Sequence, residues 1–213
     1  MGGRAAGPSR APRLPREIPA GPAPDAASLR EAALNHLARF ASTESNLVRV
    51  LQRRIARWAQ RAEREGQPPE EVTRRVAAAR EMAAQAARDM VSAGAVDDAA
   101  FAAARARRLS RAGRSRRAVA AHLAAKGVAS ETAGTVLEES TTDELDAALA
   151  HLRRRRQGPF APGAAQEGAA DEAARLKALG ALARAGFPRD IAERALDLSP
   201  EEATDRLLAA RRD

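Results

Sequence analysis

The sequence predicts an all-α protein built as a tandem array of three-helix modules. Apolar residues recur at steps of three and four along most of the chain, and no stretch alternates with period two. Hydrophobic content is 45%, but much of it is alanine, with one Trp, four Phe and no Tyr. So few bulky side chains suit thin helical layers better than one thick core. A motif also repeats: Leu123, Gly127, Val128 and Leu137 return at a constant offset as Leu182, Gly186, Phe187 and Leu196. Each set spells a helix end, a glycine stop, an apolar anchor and a short capped helix. Stacked modules touch mainly their neighbours, so an elongated, curved body is expected.

The elements follow in order. Residues 1–27, rich in Pro, Gly and Arg, have the composition of a disordered tail. Ser28-Leu29-Arg30-Glu31 reads as a capping box, opening a helix to about Phe40 with Leu29, Ala33, Leu37 and Phe40 on one side. A second helix starts near Thr43, carries Leu47, Leu51, Ile55 and Trp58, and stops before Gly66. Pro69 suits the first turn of a third, which shows a stripe from Val72 to Met90 and ends at Gly94. These three helices form the first module, 28–95.

Asp97 or Asp98 caps the fourth helix, with Phe101 and Leu109 as its apolar contacts, and Gly113 breaks it. Ser115 caps the fifth, which closes at Lys126-Gly127-Val128 in the sequence form of a Schellman stop. Ser130 is expected to cap a short sixth helix, completing the second module, 96–140. Thr141-Thr142-Asp143-Glu144 reads as a capping box for a seventh helix that ends in Arg153–Arg156. Residues 157–170 read as a flexible loop. An eighth helix carries Leu176, Leu179 and Leu182. Pro188 starts a ninth, and Ser199-Pro200-Glu201-Glu202 opens the last, with Leu207 and Leu208 as its packing residues. The third module and this final helix span 141–213.

Charge is segregated. From Phe101 to Gly127 the chain carries Arg105, Arg107, Arg108, Arg111, Arg114, Arg116, Arg117 and Lys126, with no Asp or Glu. These eight cations equal the net charge of +8, so the other 28 basic residues balance the 28 acidic ones. Such a concentration raises the local potential and favours a polyanionic partner. The competing reading is a solvated face in an Arg-rich chain, since Lys126 and Lys177 are its two lysines. The loss of acidic residues here favours a binding surface. Arg153, Arg154, Arg155 and Arg156 admit two readings equally: more of that surface, or cations placed at a helix C-terminus.

Catalysis finds no support. His36, His122 and His151 fall in separate modules, and acidic pairs such as Asp97-Asp98 and Glu201-Glu202 lie at helix ends, where capping explains them. Without cysteine there is neither disulfide nor thiolate metal site, and no glycine-rich phosphate motif occurs. No cofactor is expected. No apolar run spans a membrane, and the N-terminus lacks the apolar segment of a secretory signal, so a cytoplasmic monomer is expected.

Several of these stretches resemble the RecX family. Val96-Asp97-Asp98 before Phe101-Ala102, the Arg-rich run to Gly113-Arg114-Ser115, and His122-Leu123-Ala124-Ala125-Lys126-Gly127-Val128 are similar to the centre of that family. Ala183-Arg184-Ala185-Gly186-Phe187-Pro188 resembles its third module, and His36-Leu37-Ala38-Arg39-Phe40 with Ser45-Asn46-Leu47 its first. The first module departs from the pattern by lacking the Lys-Gly turn, and the family's tyrosines are missing. The resemblance implies a regulator that binds RecA filaments on single-stranded DNA and mainly inhibits ATP hydrolysis and strand exchange.

The rival reading is a stand-alone, non-specific DNA-binding helical protein. Residues 115–138 have a helix-turn-helix outline, yet the would-be reading helix, SETAGTVLEES, is acidic and offers no Arg, Asn or Gln to base edges. Direct contacts to DNA phosphates are compatible with either reading. An inert helical scaffold leaves the charge segregation unexplained.

Overall fold

The structure, a computed structural model, describes residues 19–140, 143–162 and 172–210. Its regular elements are α1 (Ala26–Leu37), α2 (Glu44–Arg64), α3 (Pro69–Ser92), α4 (Asp98–Arg111), α5 (Arg116–Ala125), α6 (Ser130–Glu138), α7 (Glu144–Arg155), α8 (Glu172–Arg184), α9 (Arg189–Asp197) and α10 (Pro200–Ala209), with a 3-10 turn at Gly158–Phe160. No strand occurs among the described residues. No helix of theirs is long and apolar enough to cross a membrane.

Buried side chains fall into clusters that follow the chain. Leu29, Leu47, Leu51, Ile55, Ala83 and Met90 join α1, α2 and α3, with a satellite around Trp58, Ala62 and Val72. Ala102, Ala106, Val119, Leu123, Val128 and Val136 join α4, α5 and α6. Leu145, Leu149, Leu152, Leu182, Phe187 and Leu207 join α7, α8, α9 and α10. Alanine does much of the packing: α3 buries Ala79, Ala83, Ala86 and Ala87, and a methyl in place of a longer chain lets helices approach closely. Arg206 ties α10 to the start of α7 through Asp143 and Asp146, 2.5 Å from each.

Most helix starts lie where their caps predict, and four details differ. The first helix begins at Ala26, because Asp25 is the cap: its carboxylate accepts from the Ser28 amide while the Ser28 hydroxyl accepts from the Asp25 amide. Ser28 is the far half of the box. Residues 1–18 of the expected tail lie outside the described residues. The stretch that follows is anchored, with the Ala20 amide donating to Glu65 at 2.7 Å and the Trp58 indole to Gly21 O at 3.2 Å. Ser130 does not cap α6; Ala129 holds that position without a side-chain bond. The cap of α7 is Asp143, which accepts from the Leu145 amide; Thr141 and Thr142 lie outside the described residues.

Three expected core residues face outward: Phe40 (59% exposed), Leu176 (60%) and Leu208 (45%). Phe40 stacks on His36, with ring centroids 5.4 Å apart. Phe160 packs on the third core and Pro159 is buried, so the 157–170 segment begins as an ordered turn. Residues 163–171 are not among those described.

The repeat read from the sequence is a repeated backbone stop. Gly127 and Gly186 have φ of 82° and 87°, and the amides of Val128 and Phe187 each reach back 3.1 Å, to Leu123 O and Leu182 O. Only glycine adopts this conformation freely.

Candidate functional site

The repeated glycine stops are also where one module seats on the next, and this places the basic residues. At the first joint the Thr43 hydroxyl, cap of α2, donates to Lys126 O at 2.7 Å. At the second the Ser115 hydroxyl, cap of α5, donates to Ala185 O, also at 2.7 Å. Each acceptor directly precedes a stop glycine. A Cβ at Gly127 would lie 2.3 Å from Ser45 Oγ, and one at Gly186 would lie 3.0 Å from Ser115 Oγ. The first amide of the capped helix is held in the same way at both joints. Asp98 accepts from the Glu44 amide at 2.9 Å, and Glu144 accepts from the Arg116 amide at 3.1 Å. Glu144 directly follows the cap Asp143 and so stands at the first position of α7, not at the third position that closes a capping box.

Around these joints the cations form a connected strip. Arg105 Nε donates to His122 Nε2 at 2.9 Å, which requires the neutral imidazole. Burial holds the His122 pKa below its ordinary value, and the charges of Arg105, Lys126 and Arg114 push it the same way. Arg114 lies between the two joints. With Arg155 and Arg154 it also depresses His151, for which burial is the larger cause. His151 is 6% exposed, and its Nδ1 pairs with Gly113 O at 3.2 Å. Gly113 lies against α7 so closely that a Cβ would be 2.6 Å from the His151 amide nitrogen. Arg154 closes the contact by donating to Ala112 O at 2.6 Å.

The twelve residues singled out in the sequence therefore divide. Arg105, Lys126, Arg114, Arg154 and Arg155 come together through His122 and His151. Arg107, Arg108 and Arg111 project from α4 as exposed side chains, with Arg108 beside Arg105 in a groove at the first joint. Arg117 is exposed and its stem lies near the Gly186 turn. Arg153 is exposed at the end of α7, and Arg156 takes the left-handed position beyond it, with φ of 52°. Arg116 alone among the twelve has a carboxylate partner in the described residues, Glu144 at 3.9 Å. Among the described residues this surface is thus basic and almost uncompensated.

Sequence reasoning missed Arg184 and Arg49. Arg184, on α8, lines the cleft at the second joint with Arg114, Arg154 and Arg155. Arg49 donates to Ala125 O across the first, at 3.3 Å. Neither lies in a charge run, so local composition held no signal. Among the described residues no group of His, Asp or Glu is arranged to hold a metal ion.

Comparison with known proteins agrees with this architecture. The family described as the second three-helix domain of RecX matches residues 97–137, which hold α4, α5 and all but the last residue of α6. The chain is 34% identical over 196 residues to a Regulatory protein RecX of Myxococcus xanthus (strain DK1622), covering 90% of this chain and 92% of the relative. It is 38% identical over 111 residues to a Regulatory protein RecX of Agrobacterium fabrum, covering 52% and 56%. No solved structure gives a significant match. Similarity along nearly the whole length, on a frame of repeated helical joints, places the chain in the RecX family of regulatory proteins.

Proposed function

We propose that this chain binds RecA filaments on single-stranded DNA and restrains their ATP hydrolysis and strand exchange, using the basic strip of its second and third modules. The observation that carries this reading is the near absence of carboxylate partners among the twelve cations, together with the RecX name of its relatives. A basic surface that its own fold leaves unneutralised attracts an extended anionic object. Modules set in series can engage several protomers at once, so weak contacts combine through effective concentration. The protein acts by binding and not by catalysing a reaction.

The test is DNA-dependent ATP hydrolysis by the cognate RecA. Inhibition well below one regulator per protomer is expected. Charge reversal of Arg107, Arg108 and Arg111 together should weaken inhibition at least about tenfold, several phosphate- or carboxylate-pairing cations being lost at once, with helical content unchanged. Full inhibition by that variant would remove α4 from the interface. No inhibition by the wild type, beside tight salt-sensitive binding to bare DNA, would instead support a stand-alone DNA-binding protein.

A further inference from the structure

Where α5, α7 and α8 meet they leave a cleft of about 440 Å³, within the range of small-ligand sites. Its walls carry Arg114 from the second module and Arg154, Arg155 and Arg184 from the third. None of the four has a carboxylate within ion-pair distance among the described residues. The rest of the lining is glycine, alanine and the buried His151. An imidazole carries no negative charge in either protonation state, so His151 does not neutralise the four arginines. Four guanidinium groups around one open cleft repel one another, and an anion bound between them relieves that repulsion.

We propose that this cleft is a phosphate site, shared by the second and third modules, that takes the backbone of a single-stranded nucleic acid. One guanidinium fork satisfies the two oxygens of a single carboxylate or phosphodiester, so four forks call for several anionic groups in series, which a nucleic-acid backbone carries at every nucleotide. No Phe, Tyr or Trp lines the cleft, and its one ring, His151, is buried, so bases have no exposed ring to stack on and binding is indifferent to sequence. Because Arg114 and the other three arginines belong to different modules, a bound phosphate ties the modules together. Occupancy therefore stiffens the second joint.

The test uses the full chain without RecA. A labelled oligothymidylate is titrated and followed by anisotropy, with thermal unfolding in parallel. Arg184→Gln removes a cation that lies outside the twelve assigned to the RecA-facing strip. It should weaken binding about tenfold and lower the slope of log K against log salt by about 1. It should also shrink the rise in unfolding temperature that the oligonucleotide gives the wild type. Arg74→Gln, an equal charge change on exposed α3, should stay within about twofold.

Equal losses in both variants would show a diffuse field and overturn the site. Displacement by polyglutamate as readily as by unlabelled oligothymidylate would make it an acidic-peptide site. Binding of pyrophosphate without oligothymidylate would make it a site for free phosphates; either outcome overturns the nucleic-acid assignment. Arg155→Gln gives the same measurement should Arg184→Gln lose helical content. A wild-type chain that binds oligothymidylate as expected but does not inhibit RecA would count against the proposed function and leave this cleft standing.

Discussion

His151 shows how one buried side chain links the joint to pH. It pairs with Gly113 O, packs edge-on against Phe187 at 5.7 Å, and faces Arg155, Arg154 and Arg114. Burial and those three charges depress its pKa below the model-compound value of 6.5, and the bond to Gly113 opposes them only in part. Since the folded pKa lies below the unfolded one, the unfolded chain takes up the proton first as pH falls. The stability owed to neutral His151 is complete above about pH 6.5 and declines as pH drops toward the folded value. Denaturant unfolding at neutral and mildly acidic pH should show this decline, and His151→Asn should make it shallower. Some slope should remain, because His122 is depressed in the same sense. An unchanged slope in the variant would mean that His151 does not report on the joint.

At the scale of elements, the helix caps serve two ends. Ser115 accepts from the Ala118 amide at 3.2 Å and donates across the joint to Ala185 O. Ser199 closes a capping box on α10 with Glu202. Ser199→Ala should cost about 1 kcal/mol, the worth of a cap. Ser115→Ala should cost about 2–3 kcal/mol, because it also strips a part-buried carbonyl of its donor. Chemical denaturation of the two variants checks the difference, and equal costs would show that the inter-module bond contributes nothing.

The same elements show what was legible beforehand. Caps at Thr43, Asp97, Ser115 and Ser199 are local chemistry, and the sequence placed them. It misassigned Ser28 because Asp25, three residues earlier, caps α1. It misassigned Thr141-Glu144 because Asp143 caps α7, which leaves Glu144 at the first helical position with its carboxylate on the Arg116 amide of the neighbouring module. The joints themselves could not be read, since their hydrogen bonds join residues 83 and 70 positions apart.

For the whole molecule, charge segregation was visible in the chain, but its geometry was not. Arg114 meets Arg154 and Arg155 only because the Gly113 turn after α4 seats on α7, while Arg105 joins Arg114 around His122 within the second module. Arg184, flanked by alanines in sequence, joins them only because α8 folds back beside α7. The second and third modules thus build a basic strip that neither carries alone.

The central claim is that this strip, and not the total charge of the chain, seats the protein on RecA. Binding of the labelled chain to assembled RecA filaments on single-stranded DNA tests it most directly. Three variants are compared: wild type, charge-reversed Arg107/Arg108/Arg111, and charge-reversed Arg53/Arg74/Arg80, whose side chains are exposed on the first module. The α4 variant should bind at least about tenfold more weakly and the first-module variant within about threefold of wild type, as localised pairing requires. Equal weakening of both would contradict the account.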